Sequence, residues 1–400
     1  MAILIDPPVW PAHGQLWAHL VSDTSLDELH AFAAAAGVPR RGFERDHYDI
    51  PASSYDALVA AGASPVSVRD VVRRLTVSGL RKRKADAMAP RAPGRQLLRP
   101  PRLHSGDLVA VVTTAGPVLP ERLAAGVARL ESWGLRVRMG DHVLDRHPRL
   151  AHLAGIDVDQ AADLSAAWMD SDVRAVFAAR GGYGTQRILD LLDWRRLAEA
   201  DPKALIGFSD LTVLHQAVAA RLGLASVHGP VVSSLGEATG DSADRLRRLL
   251  FDPDEVVDLL AGIESTTWVP GRADGILVGG NLAMLTAELG TSFGRPSTDG
   301  IVVLEDIAEA PHRVDRQLTQ LQRTGWFDGV RGVVLGAFTD CGDPVQVDAV
   351  LWERLGSLGV PIIGGVDFGH TRSSISIPLG VTATLDADAH SLTLTRPALS

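Results

Sequence analysis

The chain lacks most of what a secreted or membrane-bound protein is built from. Cys341 is the only cysteine, so no intrachain disulfide can form and an oxidising compartment is not implied. No apolar run is long enough to span a bilayer. The beginning, Met1-Ala2-Ile3-Leu4-Ile5-Asp6, has no basic start and too short an apolar stretch for a signal peptide. An excess of positive charge is missing too. The formal net charge is -9, which argues against general nucleic-acid binding. A cytoplasmic protein with no membrane and no nucleic-acid partner is the expectation. What is plentiful is apolar residues, 46% of 400, enough to fill the cores of two or three domains.

The clearest break lies at 81–102. It opens with Arg81-Lys82-Arg83-Lys84 and continues through Pro90, Pro93, Pro100 and Pro101. Clustered charge and proline leave little to pack, so this stretch reads as a linker. No aromatic residues interleave with its basic ones to stack on bases. Residues 1–80 form a small domain of their own. From Leu108 onward strands and helices alternate: a strand at 108–112, a helix from Pro120, a short strand at 135–139, a helix at 157–169 and a strand at 173–179. Such alternation implies a parallel, doubly wound sheet over 103–250. Ligands on these sheets collect at the carboxyl ends of the strands. After about Asp252, strand candidates crowd together at 275–278, 300–304, 330–335, 362–366 and 381–385. Fewer long helices separate them, so 265–400 reads as a mixed or β-rich half.

Four segments carry chemistry. In Ala204-Leu205-Ile206-Gly207-Phe208-Ser209-Asp210-Leu211, a buried strand is followed directly by an amphipathic helix. Ser209 stands at the elbow, beside the positive end of a helix. Taken alone, this window favours Ser209 or Asp210 as an ordinary N-cap, and the rest of the chain reverses that reading. The Gly-x-Ser-x-Gly pattern is also incomplete, with Leu211 in the last place. Arg180-Gly181-Gly182-Tyr183-Gly184 follows a strand and opens a helix. It is neither Gly-x-Gly-x-x-Gly nor a Walker loop. Its backbone N–H groups suit a phosphate or an oxyanion, and a plain tight turn fits as well. Glu305 and Asp306 end an apolar strand, where a buried charge is costly without a purpose. His370, in Asp367-Phe368-Gly369-His370, is the next polar side chain beyond another strand. The order Ser209, Glu305, His370 is one known chain order of nucleophile, acid and base, although order alone does not establish a triad.

Together these segments resemble the LD-carboxypeptidase family, serine peptidases that include the microcin-immunity enzymes. The likeness runs over about 103–398. It also rests on Gly155-Ile156-Asp157, Gly279-Gly280-Asn281-Leu282 and Arg313-Val314-Asp315-Arg316. It implies a Rossmann-like half plus a β-rich C-terminal half, preceded here by a small separate α/β domain. It further implies Ser209 as nucleophile, Glu305 as the acid that orients the base, and His370 as the base. Backbone N–H groups at Gly182 and Asp210 would bind the oxyanion, and Tyr183 and Asn281 would touch substrate. The implied reaction releases a terminal D-amino acid from cytoplasmic muropeptides, with no cofactor and no metal, by a homodimer. Hydrolysis of peptidyl-nucleotide antibiotics is the alternative within the family. A non-catalytic nucleotide- or ligand-binding module using the Gly181 loop is the alternative outside it. Thr113 and Thr114 replace a Pro-Ser pair frequent in relatives, so no role passes to them.

The first eighty residues look like a small uncharacterised bacterial domain family that names no activity. His13, His19, His30 and His47, with Asp6, Asp23, Asp46 and Asp49, are of the types that ligate metals. No tight metal spacing joins them, so capping and polar core contacts are the expected roles.

Overall fold

The computed structural model describes residues 3–12, 15–44, 46–78, 97–238 and 240–400. They fall into two compact units, one within residues 1–89 and one within 90–400.

The smaller unit is a mixed sheet with three helices, Leu26–Ala35, Tyr55–Ala60 and Val68–Val77. Its strands are β1 (Ile3–Ile5), β2 (Trp10–Ala12), β3 (Gln15–Ser22), β4 (Phe43–Glu44), β5 (His47–Pro51) and β6 (Ser64–Pro65). The spatial order is β4-β5-β3-β1-β6, with β2 on β3. Strand alternation sends Ala18, Leu20, Tyr48 and Ile50 into the core. It leaves His19, His47 and Asp49 on the opposite, half-open face.

In the larger unit the first sheet runs β8-β7-β9-β10-β11 in parallel. These strands are β7 (Leu108–Val112), β8 (Arg136–Met139), β9 (Val173–Ala178), β10 (Ala204–Gly207) and β11 (Ser226–His228). The strand order reverses between β7 and β9, so the loops after these two strands flank a topological switch point. The second sheet contains β12 (Thr266–Val269), β13 (Arg272–Asn281), β14 (Gly300–Ile307), β15 (Gly332–Thr339) and β16 (Ile362–Gly364). It also contains β18 (Thr382–Asp386) and β19 (Ser391–Leu394), in the order β12-β16-β15-β14-β13-β18-β19. The strands β13 to β16 are parallel, and antiparallel strands close both edges.

The strand β17 (Ile377–Leu379) leaves the C-terminal half and pairs antiparallel with β11, closing the edge of the first sheet. One hydrophobic core takes Val109, Val111, Phe177 and Ile206 from the first sheet and Leu277, Ile301, Val303 and Ile363 from the second. Behind the second sheet lies another core. It joins Val302, Leu304, Val333 and Leu335 to Leu318 and Leu321 of helix Pro311–Arg323 and Leu351 of helix Pro344–Leu355. These two long helices flank a seven-stranded sheet, so this half is β-rich as expected. The first is rich in polar residues, and both begin at proline, which suits the first helical position.

The linker expected at 81–102 lies outside the described residues as far as 96. Its end belongs to the larger unit. Leu98 donates to Gly223 O at 2.8 Å and accepts from Ala225 N at 2.8 Å, and Arg102 N donates to Ser400 O at 2.9 Å. Among the described residues no helix is long and apolar enough to cross a membrane.

Candidate active site

The apolar run 204–207 forms fully buried β10, and the chain turns sharply after Phe208. Ser209 takes φ +66°, one of few non-glycine residues in the left-handed region. The cap of the short 3-10 turn Ser209–Leu211 is Phe208, and that of helix Thr212–Arg221 is Leu211. Neither Ser209 nor Asp210 is therefore a helix N-cap. The helix was expected to be amphipathic, but it is buried almost all round, because it lies under the second sheet. Its first residue, Thr212, accepts a 3.0 Å hydrogen bond from Asn281 N at the end of β13. A β-carbon at Gly280 would lie 2.7 Å from Thr212 Oγ1, so this approach requires glycine.

Alternation along β14 separates the two acids. Ile301, Val303 and Glu305 share one face, and Val302, Leu304 and Asp306 share the other. Pairing of β14 with β15 slips between Leu304 and Asp306, a bulge of the kind that re-aims side chains next to functional sites. Glu305 points towards the first sheet and is fully buried. His370, in the loop after β16, reaches both partners. Its Nδ1 lies 2.6 Å from Glu305 Oε2 and its Nε2 lies 2.9 Å from Ser209 Oγ. With Glu305 ionised, Nδ1 donates and Nε2 accepts the Ser209 proton. Glu305 Oε1 has no hydrogen-bond partner among the described residues.

Asp306 serves the other face. It accepts from Asn281 Nδ2 at 2.9 Å and Ala283 N at 2.9 Å. Burial, and secondarily the Glu305 charge, push its pKa up to about 6. Asn281 was expected against substrate. Instead its Oδ1 caps helix Leu282–Ala287 at Met284 N, and its Nδ2 is engaged by Asp306. It is also buried.

The Gly181 loop lies against the elbow. A β-carbon on Gly181 would fall 3.3 Å from Ser209 Oγ. Gly116 N donates to Gly181 O at 3.0 Å, and Asp210 Oδ2 accepts from Thr185 N at 2.8 Å. Gly182 (φ +117°) and Asp210 thus belong to two loops that a buried carboxylate ties together. Burial raises the Asp210 pKa, offset in part by the bond from Thr185. Tyr183 projects from this loop, 43% exposed, its ring 5.8 Å from that of His152. Thr113 and Thr114 are buried and bond to Val143 O and Thr185 Oγ1.

One neighbour had no sequence signal beyond its place at the end of β11. His228 is buried, and neither ring nitrogen has a hydrogen-bond partner among the described residues. Burial holds its pKa well below the usual range, helped by His215 and His370. Its ring lies 5.7 Å from that of Phe208, which in turn lies 4.8 Å from His370. A neutral aromatic wall therefore backs the imidazole. A cleft of about 100 Å³ opens beside it, lined by Phe208, His228, Gly229, Gly369 and exposed Arg372.

Comparison with known proteins agrees with this geometry. Residues 109–229 match the LD-carboxypeptidase N-terminal domain and 274–385 its C-terminal domain. Residues 3–78 match a protein of unknown function, DUF4031. A putative carboxypeptidase of Streptomyces coelicolor is 49% identical over 307 residues, which is 76% of this chain and 98% of that one. The murein tetrapeptide carboxypeptidase of Pseudomonas aeruginosa is 34% identical, covering 70% and 93%. The solved structure of the microcin C7 self-immunity protein MccF, in complex with aspartyl sulfamoyl adenosine, superposes with a TM-score of 0.68. It shares 22% identity and covers 76% of this chain and 100% of that one, a likeness of fold.

Proposed function

This chain belongs to the LD-carboxypeptidase family, and from that premise we propose that it is a serine carboxypeptidase releasing a terminal D-amino acid from muropeptides. The observation that carries the reading is the unbroken line Ser209–His370–Glu305, drawn from two sheets to one cleft. His370 Nε2 takes the Ser209 proton as Oγ attacks the carbonyl of the L-centred residue. Glu305 holds the imidazole in register and stabilises its cation, which the buried setting makes effective. The oxyanion is bound by backbone N–H groups at Gly182 and Asp210. His370 then returns the proton to the departing D-amino acid, and water repeats the cycle on the acyl-enzyme. Exposed Arg372 at the rim offers a cation to a terminal carboxylate, and exposed Tyr183 projects from the Gly181 loop as a further substrate contact. The reaction belongs in the cytoplasm, as a step of peptidoglycan recycling by a homodimer. The activity for which the Pseudomonas relative is named supports a muropeptide substrate.

The test is a paired assay with purified protein. One arm offers a muropeptide ending in D-alanine, the other an aminoacyl-sulfamoyl nucleoside. Release of D-alanine in the first arm is the expected result. Turnover in the second arm alone would make the chain an immunity-type hydrolase, the activity that the fold of MccF also accommodates. Binding without turnover in either arm would make it a ligand-binding module.

A further inference from the structure

The metal-ligating residue types of the smaller unit have no regular spacing, but β3 and β5 bring three of them together. His19 and Asp49 are cross-strand partners, and His47 sits two residues before Asp49 on the same face. His47 Nε2 lies 3.3 Å from Asp49 Oδ1, and His19 Nε2 lies 3.9 Å from that same oxygen. All three ligand atoms fall within 4.8 Å of one another. Around an ion with bonds of about 2.0–2.2 Å, adjacent tetrahedral ligand atoms are roughly 3.3 Å apart. The site is therefore one small closure from coordinating distance.

The outer ring of the cluster is what sets it apart from a surface ion pair. Each histidine turns its other nitrogen to a second carboxylate. His19 Nδ1 lies 2.9 Å from fully buried Asp6, and His47 Nδ1 lies 2.7 Å from Asp46. This fixes both rings as Nδ1–H tautomers with Nε2 lone pairs aimed inward, the carboxylate–histidine–metal arrangement. His19 Nε2, His47 Nε2 and one Asp49 oxygen suit a borderline divalent ion such as zinc. All three residues are half-open, so an ion can enter and keep positions for water or a ligand. Asp49 also lines a cleft of about 410 Å³ walled by Trp17, Val38, Ile50, Pro51 and Leu58.

We propose that His19, His47 and Asp49 form a divalent transition-metal site of the zinc class, with Asp6 and Asp46 orienting its histidines. The site belongs to the smaller unit, whereas Ser209, Glu305 and His370 belong to the larger one. His30 is not part of it, since it bonds to Tyr48 OH at 2.9 Å. Asp23 pairs with Arg74, and His13 lies outside the described residues.

The test titrates zinc into chelator-treated, full-length protein, with a chromogenic chelator as competitor. One tight equivalent per chain is expected. It should survive His142→Ala, which removes the other candidate cluster, His142, Asp145 and Asp159. His47→Gln and His19→Gln should each lower affinity at least a hundredfold. Asp46→Asn should keep the stoichiometry and weaken binding by roughly 10- to 100-fold. Cobalt(II) should give a visible absorption band in the parent chain, which tests the site even if a histidine variant misfolds. Carboxypeptidase turnover should not change when the metal is stripped. No tight equivalent in the parent chain, or one retained unchanged in His47→Gln, overturns the proposal.

Discussion

A β-carbon at Gly369 would stand 2.5 Å from Glu305 Oε2, and Gly369 itself has φ +104°. The residue just before His370 is therefore confined to glycine by both backbone and space. Gly369→Ala should push Glu305 or the loop aside and break the 2.6 Å bond to His370. A loss of at least a hundredfold in kcat is expected, with a lowered melting temperature. Normal kcat in a folded Gly369→Ala protein would show that the bond is not needed.

Ser209 combines a reactive hydroxyl with a backbone that L-residues avoid. Ser209→Ala should abolish turnover and leave stability close to that of the parent. Ser209→Gly should abolish turnover equally, yet raise stability by about 1 kcal/mol as the left-handed strain is relieved. Denaturant unfolding of the three proteins makes the comparison. A destabilised Ser209→Gly chain would mean that the elbow is not strained.

Glu305→Gln and His370→Ala should each depress kcat strongly while the double variant loses little more. Residues that act as one relay do not give multiplying losses. A double-mutant cycle on kcat/KM is the measurement. Losses that multiply would assign the two residues to separate tasks.

His215 and Asp306 give stability opposite dependences on pH. Burial lowers the pKa of His215 to about 4, its ring lying between Gly207 O and Ser226 Oγ. Unfolded histidine takes up its proton near pH 6.5, so as pH falls from 6.5 to 4 the unfolded chain binds more protons and stability drops. The slope approaches roughly 1.4 kcal/mol per pH unit. Asp306, raised to about 6, binds its proton earlier when folded. It adds stability as pH falls from 6 to 4, and that stability is lost as pH rises through 6. The two slopes oppose each other in the parent chain. Measured against His215→Gln, the parent should lose stability steadily between pH 6.5 and 4. A constant difference would show that His215 is not buried in its neutral form.

Truncation tests where the larger unit begins. A chain starting at Gln96 keeps Leu98 between Gly223 and Ala225 and Arg99 on Pro397 O. It should retain full carboxypeptidase activity. A chain starting at Leu103 loses these bonds and should melt at a lower temperature. Equal melting temperatures would make residues 97–102 dispensable.

Much of this architecture was legible because apolar runs and helical periodicity are local. The strand at Leu108–Val112 and the helix at Asp157–Met169 lie where the sequence puts them. The strand β17 was not legible, because it is three residues long and contains Pro378. Proline signals a break, yet on an edge strand it is tolerated. The grouping of Ser209, Glu305 and His370 could be read from motifs, whereas the capping role of Asn281 could not. Its motif marks a cap and a close strand–helix crossing, and nothing in residue type distinguishes those from substrate contact. The union of His19, His47 and Asp49 depends on strand register, which spacing alone does not reveal.

The pairing of β17 with β11 also governs when the protein can come into being during synthesis. The first sheet cannot close its edge until Ile377–Leu379 has left the ribosome, and Ser400 N must still reach Pro100 O. His370 likewise emerges 161 residues after Ser209. A nascent chain therefore carries its elbow exposed and unarmed while those 161 residues are made, with β17 acting as the clasp. Premature termination anywhere before this clasp leaves a hydrophobic edge open and no working hydrolase. Partial products should go to chaperones and proteases rather than contribute stray peptidase activity in the cell.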